Sequence, residues 1–134
     1  MNISNFDELI QASQLQADPQ RLLFVFAGVE LPDDCTPEQR AEFDAGEGGT
    51  LVPLMVVDKT PNEVKNFNAL ADEAKNLAQP WRIVFVAALS GSRGLAPNSQ
   101  DAENALKRME ESIRQGNFGN YMPFDQQGEP VIFG

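Results

Sequence analysis

At 134 residues the chain has the length of one domain, taken as 1–134, and is long enough to bury roughly two thirds of the surface its unfolded form would expose. Twenty acidic residues against ten basic ones give a formal charge of -10, which repels phosphate backbones and anionic lipid headgroups and argues against nucleic acid or a membrane surface as partner. There is no histidine and a single cysteine, Cys35, so Ser-His-Asp and Cys-His nucleophiles, histidine-ligated zinc and an internal disulfide are all excluded.

The opening MNISNFDELI has neither a basic region nor an apolar stretch of signal-peptide length, and no apolar run approaches the roughly 18 residues of a spanning helix, so a cytoplasmic protein is expected. Ser4-Asn5-Phe6-Asp7 fits a helix-start signal, and Phe6, Leu9, Ile10 and Ser13 follow at helical spacing, which predicts a first helix over 5–16. Asp18-Pro19 breaks it. Leu22 to Val29 (LLFVFAGV) is then apolar without alternation, as a central strand covered on both faces should be.

Thr36-Pro37-Glu38-Gln39 and Thr60-Pro61-Asn62-Glu63 share one design: a threonine cap, proline at the first helical position, and Gln or Glu three residues after the cap. The first opens a short helix ending near Gly46. The second opens a longer one, over about 62–78, with Val64, Phe67, Leu70, Ala71, Ala74 and Leu77 on one face. Between them Leu51 to Val57 reads as a second strand, and Pro53, which cannot donate to a ladder, makes it an edge or delays its start.

Pro80 ends the long helix, and Trp81 to Leu89 forms a third strand paired beside the first, with Leu23, Val25, Ile83, Phe85 and Val86 expected in the core. Asn98 or Ser99 caps a last helix that turns Ala102, Leu106, Met109 and Ile113 inward and closes at Gly116 or Gly119. The tail from Tyr121 to Phe133 reads as a hairpin. This order predicts an α/β fold, a three-layer single domain with a mostly parallel central sheet and a C-terminal β-hairpin. The alternative is α+β, with a thioredoxin-like or ferredoxin-like mixed sheet, if the connection from Glu30 to Gly49 does not cross the sheet.

In a parallel sheet Asp33, Asp34 and Cys35, then Asp58 and Lys59, then Ser90, Gly91, Ser92, Arg93 and Gly94 all emerge at one end. Converging carboxylates there could hold a hard cation. The simpler reading, adopted here, is that the three aspartates decorate loops ahead of helix starts, so no metal and no cofactor is expected. The glycines, hydroxyls and guanidinium of Ser90 to Gly94 make that loop the best anion-site candidate, although Walker and Gly-x-Gly-x-x-Gly spacings are absent. Cys35, flanked by aspartates and without a second cysteine, reads as an unreactive thiol. Asp72-Glu73 and Glu110-Glu111 fall on polar helix faces, and Tyr121 and Phe124 cover either a core face or a partner surface.

The stretches LLFVFAGVELPDDCTPEQR, GGTLVPLMVVDKTP, WRIVFVAALSG and YMPFDQQGEPVIFG, spanning nearly the whole chain, resemble a small uncharacterised family of short bacterial proteins whose members often carry the label "ribonucleotide reductase subunit alpha". The resemblance implies a bacterial cytoplasmic protein and transfers no catalytic residue, since the large subunits of that enzyme are far longer and use several cysteines. With no nucleophilic or redox constellation in view, the expectation is a non-enzymatic interaction or binding module, with a protein partner or a homodimer. The alternative is a small-anion or phosphoester-binding protein using the loops at Asp33, Asp34, Asp58 and Ser90 to Gly94.

Overall fold

The computed structural model describes residues 6–16, 18–30, 36–44, 50–64, 66–75, 81–117, 119 and 121–131. In chain order the elements are α1 (Phe6–Gln14), β1 (Gln20–Glu30), α2 (Pro37–Asp44), β2 (Thr50–Lys59), α3 (Pro61–Val64), α4 (Phe67–Asp72), β3 (Ile83–Ser90), α5 (Ser99–Arg114) and β4 (Met122–Phe124).

The four strands form one sheet in the order β2-β1-β3-β4, and every neighbouring pair is antiparallel. The fold is therefore α+β, which overturns the expected mostly parallel central sheet. The class is that of the alternative, α+β, but the sheet of the described residues is antiparallel throughout rather than mixed. The direction turns on the connection from β1 to β2. A crossover helix must lay an apolar stripe on the sheet, whereas α2 is PEQRAEFD and its described side chains, Pro37 to Ala41, are exposed. Among its described side chains none holds α2 on a face, and β2 returns beside β1 in the opposite sense. The crossover comes later, through α3 and α4, and carries the chain from β2 over β1 to β3.

Helices cover both faces. On one, Leu22, Phe24, Phe26, Val84, Val86 and Phe124 pack under α1, α3 and α4. This side is aromatic: Phe6 meets Phe67 at 5.2 Å and Phe124 at 5.5 Å, and Phe26 meets Trp81 at 5.0 Å, all edge to face. Each such pair adds about 0.5–1.5 kcal/mol beyond area burial. The C-terminal turn closes over it. The Phe6 amide donates to the Gly128 carbonyl at 3.3 Å, and a Cβ at Gly128 would stand 3.0 Å from the Phe67 ring.

On the other face Leu23, Val25, Ala27 and Phe85 pack against the inward side of α5, where Ala102, Leu106, Met109 and Ile113 are all buried. The caps explain the length of α5. Asn98 accepts from the Asp101 amide at 2.8 Å while Asp101 accepts from the Asn98 amide at 3.3 Å. At the far end Gly116 takes φ 80, its amide donates to Ile113 and that of Asn117 to Ser112, a left-handed stop that favours glycine.

Two further expectations are corrected. The helix read over about 62–78 is broken, because the Asn66 side chain accepts from the Ala69 amide at 2.8 Å and starts α4 afresh. Ile83, at the first position of β3, is only half-buried, while Leu23, Val25, Phe85 and Val86 are buried as expected. β1 and β3 are the inner strands. The tail turns after β4, so that the Val131 amide donates to the Pro123 carbonyl at 3.0 Å. No described helix is long and apolar enough to cross a membrane.

Candidate functional site

The antiparallel sheet redistributes the expected site. Asp33, Asp34 and Cys35 lie outside the described residues, and β1, which leads to them, ends at the opposite end of the sheet from Lys59 and Ser90. Asp58 and the Ser90 to Gly94 loop do share an end, where β1 begins, but Asp58 is engaged there by the Arg21 guanidinium in a half-buried ion pair. Lys59 points to the other face and meets Glu73 at 3.0 Å. Among the described residues no group of three or more carboxylates or thiols is placed to hold a metal ion.

The Ser90 to Gly94 loop is a tight turn. Ser92 and Leu95 exchange backbone bonds at 3.0 and 2.9 Å across Arg93 (φ 53) and Gly94 (φ 77), the two left-handed residues of a type I′ hairpin turn. Gly91 is sterically required, since a Cβ there would fall 1.8 Å from the Leu95 carbonyl oxygen. The Gly91 amide donates to the Pro19 carbonyl at 2.9 Å and the Gly94 amide to the Asp18 carboxylate at 3.3 Å. Ser90 Oγ and the buried Gln20 carboxamide bond each other at 2.8 Å. An anion cradle needs free amides converging with positive charge. Here those of Gly91, Ser92, Gly94 and Leu95 are taken, a carboxylate already stands beside the loop, and the first turn of α5 is closed by its own Asn98 and Asp101. Arg93 is exposed, on the turn rather than at a helix start.

Beside this turn a cleft of about 310 Å³ opens between the end of α1, the start of β1 and α3. Its carboxamides face one another: Gln14 donates to Asn62 at 3.2 Å, and Gln20 also donates to the Asp18 carbonyl at 3.0 Å. Nearby, Glu63 accepts from the Thr60 amide at 2.8 Å. That bond, then the Thr60 hydroxyl, holds its carboxyl below the ordinary glutamate value, and the positive charges of Lys59 and Arg21 add to the effect.

The outer rim of β2 is a different kind of feature. Among the described residues no strand pairs with it. The bond from Gly91 to Pro19 sets the phase of the β1–β3 ladder, so odd-numbered residues of β1 turn their backbone groups toward β3 and even-numbered ones toward β2. Through the register Leu22↔Lys59, Phe24↔Val57 and Phe26↔Met55, the N–H and C=O of Val56 and Asp58 then face outward. The first half of this rim is blunted by Pro53 and by a bulge at Leu54, where the partner of Phe26 is Met55 but that of Ala27 is Pro53. From Met55 to Lys59 the register is unbroken, and Val56 is 39% exposed. Pro53 was the sequence signal for an edge. Nothing in the residue pattern marked which backbone groups it leaves free.

Set against protein-family models, curated proteins and solved structures, the chain matches none of them.

Proposed function

We propose that this protein is a non-catalytic interaction module that takes an extended segment of a partner protein as an added strand along β2 from Met55 to Lys59. The observation that carries the reading is that regular, unpaired rim, with the backbone groups of Val56 and Asp58 turned outward beside an exposed valine. Such edges bind extended peptides through main-chain hydrogen bonds, with side-chain contacts supplying selectivity. Supporting it, charged side chains at this end of the sheet are engaged internally: Asp58 with Arg21, Lys59 with Glu73, Glu63 with Thr60. The -10 charge favours a basic or neutral segment over an acidic one.

Val56→Pro tests it, because proline at an outward-facing edge position removes the donor to a visiting strand and leaves the β1 ladder in place. Wild type and variant are immobilised, exposed to extract of cells that make the protein, and the retained proteins identified by mass spectrometry. The expected result is a protein held by the wild type and released by a folded variant. Identical sets on both, or nothing on either, would contradict the reading. A dimer that Val56→Pro dissociates would make the visiting strand a second copy of this chain.

A further inference from the structure

α5 packs over β1 and β2, so among the described residues the part of that face belonging to β3 is not fully roofed. Ala87 and Leu89, which point to the α5 side in register with Leu23 and Arg21, are only half-buried. Between them and the helix lies a hollow of about 300 Å³ floored by Leu23, Ala87, Leu89 and Met109 and flanked by Tyr121. A second hollow of about 390 Å³ adjoins it toward Asp101, and the two share Leu89 and Arg108.

Arg108 is the odd basic residue of α5. Lys107 has Glu103 four residues back, at 3.5 Å, and Arg114 has Glu110 likewise, at 3.9 Å. Arg108 has Asn104 in that place, and among the described residues no carboxylate pairs with it. The Arg108 guanidinium, without an acidic partner among the described residues, stands at the rim of the first hollow.

We propose that this groove binds a small monocarboxylate with an apolar body, its carboxylate on Arg108 and its body on Leu23, Ala87, Leu89 and Met109. The guanidinium fork matches a carboxylate bidentately, and Ser112 and Tyr121, which also line the hollow, are its hydroxyl-bearing residues. The volume lies at the small end of the roughly 300–1,000 Å³ range of ligand pockets, which fits one ring or a branched chain. Asp101 in the adjoining hollow and the overall negative charge disfavour a second negative charge, so phosphomonoesters and dicarboxylates fit poorly. This site is separate from the β2 rim and does not depend on the reading given for that rim.

The test is titration of the uniformly 15N-labelled protein, followed by amide shifts, with phenylacetate, its neutral isostere phenylacetamide, inorganic phosphate and succinate. Phenylacetate is expected to give saturable shifts at Ala87, Leu89, Arg108 and Tyr121, with phenylacetamide, phosphate and succinate at least roughly tenfold weaker. Arg108→Gln, an exposed change that leaves the core intact, should weaken phenylacetate by a similar factor without altering the spectrum of the aromatic face around Trp81. A bulkier floor, Ala87→Leu, should weaken it with Arg108 still present. Absence of saturable shifts with phenylacetate, equal response to phenylacetamide or phosphate, or an unchanged Arg108→Gln titration would overturn the proposal.

Discussion

The two faces of the sheet are built on opposite plans. One is roofed by three helices and filled with closely packed rings, Phe6, Phe24, Phe26, Phe67, Trp81 and Phe124, several of them in edge-to-face contact, and its cleft lies at the end of α1, at the margin of the ring cluster. The other is roofed, among the described residues, by one long helix over mostly aliphatic side chains, which leaves a strip beside β3 open as far as Arg108. Stability concentrates on the first face. Open surface is left, among the described residues, where a single helix lies over the sheet.

Truncations on each face measure the contrast. Phe24→Ala, in the middle of the aromatic face and fully buried, should lower unfolding free energy by about 3–5 kcal/mol. Met109→Ala, also buried but bordering the hollow, should cost about 2 kcal/mol, because the space it vacates joins a solvent-open groove rather than forming a closed cavity. Urea unfolding measures both, and a larger loss for Met109→Ala would invert the comparison. Gly91→Ala forces the turn away from the Leu95 carbonyl and should cost about 1–3 kcal/mol.

Smaller effects belong to the helix ends. Asn98→Ala removes the cap of the helix that covers the second face and should cost about 1 kcal/mol by the same assay. Glu63 gives a pH signature. Its carboxyl is held below the ordinary value of 4.5, so its contribution is present at neutral pH and fades as pH falls from that value through its own lower one. Glu63→Gln should flatten the stability profile in that acid range. An identical slope in wild type and variant would show that the bond to Thr60 contributes nothing.

How much of this was readable in the residues follows from what each signal reports. Caps and 3.6-residue periodicity are local, and they placed α1 and α5 together with the buried faces of both: Phe6, Leu9, Ile10 and Ser13, then Ala102, Leu106, Met109 and Ile113. Strand direction is not local. An apolar run such as Leu22 to Val29 says that both faces are covered, which holds equally for parallel and antiparallel neighbours, so the pattern carried no information on sense. The informative segment was PEQRAEFD, which lacks the stripe a crossover helix requires. Once the direction is reversed, the loops expected to converge are divided between the two ends of the sheet. Arg108 had a sequence signal as well, an asparagine where its neighbours Lys107 and Arg114 have glutamates, but the groove beneath it exists only through the tertiary placement of α5.

Amide hydrogen exchange along β2 tests the central claim, that the sheet carries an ordered and unoccupied rim from Met55 to Lys59. A free rim predicts alternation, with the amides of Met55, Val57 and Lys59 protected by β1 and those of Val56 and Asp58 exchanging fast. If Val56 and Asp58 are protected as strongly as Val57 in dilute protein, the rim is already paired within the chain and cannot receive a visiting strand.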